Sequence, residues 1–216
     1  MKKIIICTIA TAIFASCTQN IKKEDGLTLQ SINEQKHIPN QTAISLNDSA
    51  VGLLMKTIPF QDSANTELNR KALKYLNKAI KVDSLYQLLY SNKVDVLKNL
   101  GRYEEAIKTL NNAARVISGY AEAYAVQAFL YEKMDKLDSA NFMYSQALKA
   151  NQKRIGEEPK NINHQINLAF LLLFTEGKTE ALYEIEDIIE KTNDEQAIEF
   201  KAFIKSFNRD QFIVNY

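Results

Sequence analysis

Apolar residues recur at helical spacing along most of this chain, from Leu46 to Phe207. They return every three or four positions, which is the spacing of one face of an α-helix. Before residue 46 no such periodicity is sustained. The pattern predicts a helical domain over residues 46–207, preceded by a linker over 17–45 and followed by a tail over 208–216.

One helix pattern occurs three times along the chain, and the number of residues between corresponding positions is the same from each copy to the next. Each copy carries a small, a large and again a small side chain on one helix face. The three copies are Ala72, Leu76 and Ala79; Ala106, Leu110 and Ala113; and Ala140, Tyr144 and Ala147. Small side chains allow close approach of two helices, so we expect helix crossings at the alanines.

This arrangement resembles the tetratricopeptide repeat, a helix–turn–helix unit whose period of about 34 residues equals the offset between the copies. Tyr90 and Tyr124 match its early aromatic residue and Gly101 matches its turn, whereas Asp135 replaces the turn glycine of the next copy. The resemblance implies an all-α fold, a right-handed solenoid of about three to four helical hairpins. A last helix over 193–207 would cap the array, because a terminal repeat must cover its apolar face.

The spacing changes once, because the next matching alanine after Ala140 is Ala181, which lies farther along the chain than the fixed interval predicts. The seven additional residues correspond to about two helical turns. We therefore expect the second helix of the preceding repeat to continue to about Glu157 without changing its facing. The next first helix is predicted over about 161–176.

Apolar side chains off the packing stripe form the candidate binding surface. In the tetratricopeptide-repeat family, such first-helix positions line a concave groove. The residues that map there are Phe129, Ile166, Phe170, Leu173 and Phe174. The stretch Leu168–Phe174 is apolar on every side, so we expect the apolar surface outside the packing stripe to be buried against another segment. Two interpretations are open: a groove for a partner's peptide, or a face covered by the chain's own capping helix or tail.

The first sixteen residues have the composition of a secretory signal peptide. Two lysines precede the apolar run Ile4–Phe14, which is shorter than the roughly 20 residues that span a membrane. The following Ala15, Ser16 and Cys17 resemble the lipobox of bacterial lipoproteins, in which the cysteine is acylated and becomes the new N-terminus. Phe14 departs from the usual aliphatic residue, and ordinary signal-peptidase cleavage is the alternative.

Cysteine usage favours the lipoprotein interpretation. Cys7 would leave with the signal peptide, so Cys17 would be the single cysteine of the mature chain, and acylation explains it without a disulfide partner. We therefore expect an exported protein, lipid-anchored in the bacterial cell envelope at the outer membrane. Whether it faces the periplasm or the surface stays open.

Charge and side-chain chemistry argue against other functions. The 27 Lys and Arg nearly balance 26 Asp and Glu, and the leader removes two lysines, so nucleic acid is not an expected partner. His37 and His164 lack neighbouring ligand residues in the sequence, and no glycine-rich phosphate loop occurs. The carboxylates of Glu184 and its neighbours have no base or nucleophile beside them. We expect no enzyme, no metal and no cofactor.

The predicted function is therefore a membrane-anchored scaffold that binds a protein or peptide. A second class is an accessory subunit held permanently in an envelope assembly, secretion or uptake complex.

Overall fold

The structure, a computed structural model, describes residues 37–57 and 62–216. Every regular element in these ranges is an α-helix, so the predicted all-α class is confirmed. The described chain divides into two compact units, residues 37–117 and 118–216. The predicted leader 1–16, Cys17 and most of the predicted linker lie outside the described residues.

The first unit is built from helices that each pack on the next along the chain. Its elements are α1 (Gln41–Leu54), α2 (Asp62–Val82), α3 (Gln87–Asn99) and α4 (Tyr103–Val116). Helices α3 and α4 form the hairpin that the repeat pattern predicts, with Gly101 at the turn and φ of 68°.

The start of α1 differs from the prediction, because residues 41–45 are helical and do not belong to a linker. Asn40 caps the helix: its side chain accepts a hydrogen bond from the Thr42 N–H at 2.9 Å. The Asn40 N–H itself donates to Asp83 at 2.8 Å. Asn47, the first polar residue of the predicted helical domain, lies inside α1 and accepts a hydrogen bond from the Asn92 side chain at 2.7 Å.

The second unit contains six helices in its described residues. They are α5 (Ala121–Lys133), α6 (Leu137–Glu157), α7 (Ile162–Thr175), α8 (Lys178–Thr192), α9 (Glu195–Ser206) and α10 (Arg209–Asn215). Helix α6 has 21 residues and ends at Glu157, as the change in spacing predicts. Helix α7 also matches its predicted range.

The end of the second unit needs a correction. Helix α9 occupies the position of the predicted capping helix, but Asp194 is its N-cap, with a side chain that accepts a hydrogen bond from the Ala197 N–H at 3.0 Å. The predicted tail 208–216 is largely the short helix α10, capped by Asn208. Phe212 of this segment packs on Phe129 and Phe174, and this contact stabilises the segment as a helix.

The alanines of the repeat pattern lie where helices pack closely. All seven are at most 1% exposed: Ala72, Ala79, Ala106, Ala113, Ala140, Ala147 and Ala181. Tyr90 is also buried, and its hydroxyl donates to the Ser84 carbonyl at 3.0 Å, whereas Tyr124 is half-buried. A side chain larger than alanine would have to displace a neighbouring helix at these sites.

Candidate functional site

Aromatic rings form a continuous cluster in the second unit. Phe129 of α5 lies at its centre, with ring centroids 4.7 Å from Phe174 of α7 and 5.3 Å from Phe212 of α10. Such separations are those of favourable ring pairs. The other rings of the cluster are Tyr144, Phe170, Phe200, Phe203, Phe207 and Tyr216.

This cluster contains the predicted groove, but the groove is covered. All five predicted residues are at most 5% exposed: Phe129, Ile166, Phe170, Leu173 and Phe174. Phe212 and Tyr216 of the predicted tail pack on Phe129, and Phe200 of α9 packs on Phe170. The interpretation of an open groove is therefore corrected, because the surplus apolar surface is buried against α9 and α10.

Two polar contacts hold α10 at the edge of the aromatic cluster. Arg209 donates from Nη2 to Glu132 Oε1 at 2.8 Å, and the Glu132 carboxylate is about nine-tenths buried. Lys133 Nζ donates to the carbonyl of Val214 at 2.6 Å, near the end of α10. Each end of the short helix thus meets a charged side chain of α5.

Glu132 also connects this edge to the core of the second unit. The Tyr144 hydroxyl donates to Glu132 Oε1. Burial, followed by the hydrogen bond to Glu132 and by the Glu132 charge, raises the pKa of Tyr144 above its usual range. The protonated Tyr144 hydroxyl and Arg209 thus share Glu132 Oε1 as their acceptor.

A second group of buried side chains is polar and was not predicted. Glu122, at the start of α5, accepts hydrogen bonds from Arg154 of α6 at 2.7 Å and from Asn167 of α7 at 3.4 Å. Asn151 of α6 donates to the His164 carbonyl at 2.9 Å. Asn151 and Arg154 both lie in the additional turns at the end of α6. The altered repeat spacing is therefore the sequence feature that could have indicated this polar group.

A small cavity lies beside these polar side chains. Its lining residues are Ala121, Glu122, Ala125, Asn151, Asn167 and Leu171. The side-chain oxygens of Asn151 and Asn167 are buried and accept no hydrogen bond from the described residues. The site has room for about one water molecule or one small donor group, and it is too small for an organic substrate.

The two histidines each face a carboxylate. His164 Nε2 lies 3.1 Å from Glu158 Oε2, and burial, then the nearby Arg154 charge, lowers the pKa of His164. In the first unit His37 Nε2 lies 2.9 Å from the Asp83 carboxylate. Within the described residues, no set of three or more His, Cys, Asp and Glu side chains is placed to hold a metal ion.

Two of the carboxylates that the sequence places on α8 form ion pairs on the surface. Glu186 lies 2.8 Å from the Lys201 ammonium and Asp187 lies 2.6 Å from that of Lys191. Across the described ranges, none of the helices combines the length and apolar content needed to cross a membrane.

Residues 89–118 match the sequence profile of the tetratricopeptide repeat. A TPR repeat-containing protein of Methanocaldococcus jannaschii is 32% identical over 89 residues, which are 41% of this chain and 16% of that protein. The match thus spans about a sixth of the relative's length.

Two solved structures align with this chain at low sequence identity. A tetratricopeptide repeat protein from Parabacteroides merdae aligns with a TM-score of 0.44 and 15% identity, covering 76% of this chain and 73% of that chain. A thermophilic TPR protein from Thermus thermophilus aligns with a TM-score of 0.44 and 18% identity, covering 76% and 97% of the two chains.

Proposed function

We propose that this chain, in which residues 89–118 match the tetratricopeptide repeat, is a partner-binding scaffold held in a bacterial cell envelope by a lipid on Cys17. The observation that carries the scaffold function is the repeat itself. Residues 89–118 match the family, and the alanines that recur at the repeat interval are buried where helices pack.

The binding function follows from how stacked helical hairpins expose side chains. A repeat needs only its packing stripe buried, so the remaining first-helix positions are available to a peptide or a protein surface. In the second unit those positions form the aromatic cluster around Phe129, which has the chemistry of a groove for apolar side chains but is buried beneath α9 and α10. A partner would reach it where part of that cover is displaced. This unit is therefore the proposed binding unit.

The anchor is supported by the sequence alone. Ala15 and Ser16 precede Cys17 after a short apolar run, and this combination is typical of bacterial lipoproteins. Acylation would place the protein on a membrane without a spanning helix. We propose the outer membrane as its location.

Crosslinking in native membranes tests the proposal. The full chain, produced with its own leader, is crosslinked in intact bacteria and purified, and the bound proteins are identified. The control carries residues 1–36 fused to an inert soluble protein, so it has the same leader and cysteine without the repeats. We expect a partner crosslinked by the full chain and not by the control. Identical sets of proteins from both would contradict a scaffold function.

A further inference from the structure

We propose that α10 is an internal ligand of the groove in the second unit, and that the partner's binding segment has the chemistry of α10. That chemistry is a cationic side chain followed, three and seven residues later, by aromatic rings, as in Arg209, Phe212 and Tyr216. This inference rests on the proposed partner-binding function, and it identifies the site and the class of peptide that binds there.

Helix α10 has the features of a bound peptide and not those of a core helix. It spans seven residues, and Phe212 is its single buried side chain, whereas Val214 is 72% exposed. A helix of this length is unstable in isolation, since nucleation is unfavourable and few hydrogen bonds offset it. The surface beneath α10 therefore supplies the order.

The surface beneath α10 surrounds one side chain on several sides. Phe212 has ring centroids 5.3 Å from Phe129, 5.3 Å from Phe174 and 6.2 Å from Phe170. Tyr216 adds a second contact with Phe129 at 5.0 Å. Residues 212 and 216 are four apart, so both rings lie on one face of the helix, the arrangement by which helical peptides bind grooves.

Charge complementarity restricts what can replace α10. The Glu132 carboxylate is about nine-tenths buried and is paired with Arg209. A buried carboxylate that loses its cation is strongly destabilised, so a competing segment must bring its own positive side chain. At the other end Lys133 Nζ donates to the carbonyls of Ile213 and Val214, and the free carbonyls in the last turn of a helical peptide could accept the same hydrogen bonds.

The connection to α9 limits how much of the unit would move. Only Phe207 and Asn208 join α9 to α10, and Phe207 is itself buried, with its ring 5.3 Å from that of Phe174. Release can therefore begin at residue 208 while α9 stays in place. The exposed surface would then be the aromatic groove with its acidic edge.

The test uses the full chain and a fluorescent peptide with the sequence of residues 207–216. The variants Phe212→Ala and Arg209→Ala weaken the internal ligand, and Val214→Ala is the matched control, because Val214 contributes little to the contact. We expect the peptide to bind Phe212→Ala at least tenfold more tightly than the parent chain, and Arg209→Ala several-fold more tightly. Val214→Ala should bind as the parent does.

Several results would overturn this inference. Equal peptide affinities of the parent and both weakened variants would show that α10 does not occupy a binding site. Undiminished binding of a peptide that carries Phe212→Ala would show that the aromatic contact is not recognised. Circular dichroism monitors the folding of each variant. If Phe212→Ala unfolds the second unit, the peptide affinity of Arg209→Ala relative to the parent chain tests the inference instead, because the Arg209 side chain is 43% exposed.

Further outcomes separate the alternatives. Dimers of the parent chain that form at high concentration and are absent in Phe212→Ala would show that the groove binds α10 of a second copy. This result would refute binding of a partner's segment there. Failure of the peptide to bind the released variants, with a partner still crosslinked in membranes, would refute this inference and leave the proposed function standing. Peptide binding without any crosslinked partner would refute the proposed function instead.

Discussion

Asp135 makes the same left-handed turn that Gly101 makes one repeat earlier. Their φ angles are 58° and 68°. Both N–H groups donate to the carbonyl three residues before, Lys98 in one turn and Glu132 in the other, each at 2.9 Å. The hairpin geometry thus imposes the conformation, and a residue with a Cβ adopts it at some cost.

Exchanging these two residue types should change stability in opposite directions. Asp135→Gly should stabilise the second unit by about 0.5–1 kcal/mol, and Gly101→Asp should destabilise the first unit by a similar amount. A Cβ at Gly101 would meet no atom within 4 Å, so that effect is confined to the backbone. Urea unfolding measures both. A loss of stability in Asp135→Gly would show that its carboxylate makes a favourable interaction that outweighs the strain.

The buried alanines should not tolerate larger side chains. Ala106→Leu and Ala140→Leu should each reduce the free energy of unfolding by about 1–3 kcal/mol, because the added carbons have no space at a helix crossing. Ala202→Leu, on the exposed face of α9, is the control and should melt as the parent does. Unchanged melting of both core variants would mean that the crossings are looser than the structure shows.

Acidification should destabilise the second unit through His164. Burial and the Arg154 charge lower the pKa of His164 below 6.5, so the unfolded chain binds a proton more readily than the folded chain does. The stabilising effect is complete above pH 6.5 and is lost as pH falls from there through the lowered pKa. His164→Gln should show a smaller loss of stability between pH 7.5 and 5 in urea unfolding. The same pH dependence in parent and variant would contradict this role.

Mass spectrometry of the mature protein should find an acyl-modified Cys17 at its N-terminus. The thiol is the acceptor in the proposed modification, and serine at this position would leave no thiol to acylate. Cys17→Ser should therefore move the protein from the membrane fraction to the soluble fraction. A mature terminus elsewhere without a lipid would instead favour ordinary signal-peptidase cleavage.

The repeating parts of the fold were predictable because packing between neighbouring helices repeats the same contacts. The burial of Ala106 and Ala140 and the length of α6 follow from spacing alone. The start of α1 did not follow, since Asn40 and Asn47 are equally suitable caps by residue type. The contact of Asn40 with Asp83, 43 residues away, favours the first of them.

The cover of the groove was not predictable for a related reason. The sequence shows that Phe170 and Phe174 exceed what a packing stripe needs, but it does not show what faces them. That outcome depends on contacts such as Arg209 with Glu132, which join residues 77 positions apart. One consequence is that Phe170→Ala with Phe174→Ala, an attractive test of binding from sequence alone, would mainly remove core packing.

The long sequence separation of the α10 contacts also determines the order in which the second unit assembles. Its helical hairpins close over short loops, whereas Lys133 meets Val214 only after 81 residues are brought together. During synthesis α5, α6 and α7 emerge well before α10 and can fold first. We therefore expect a nascent chain whose aromatic side chains on α5, α6 and α7 stay uncovered until α9 and α10 have been synthesised, and in this interval the chain is most exposed to chaperones and to aggregation.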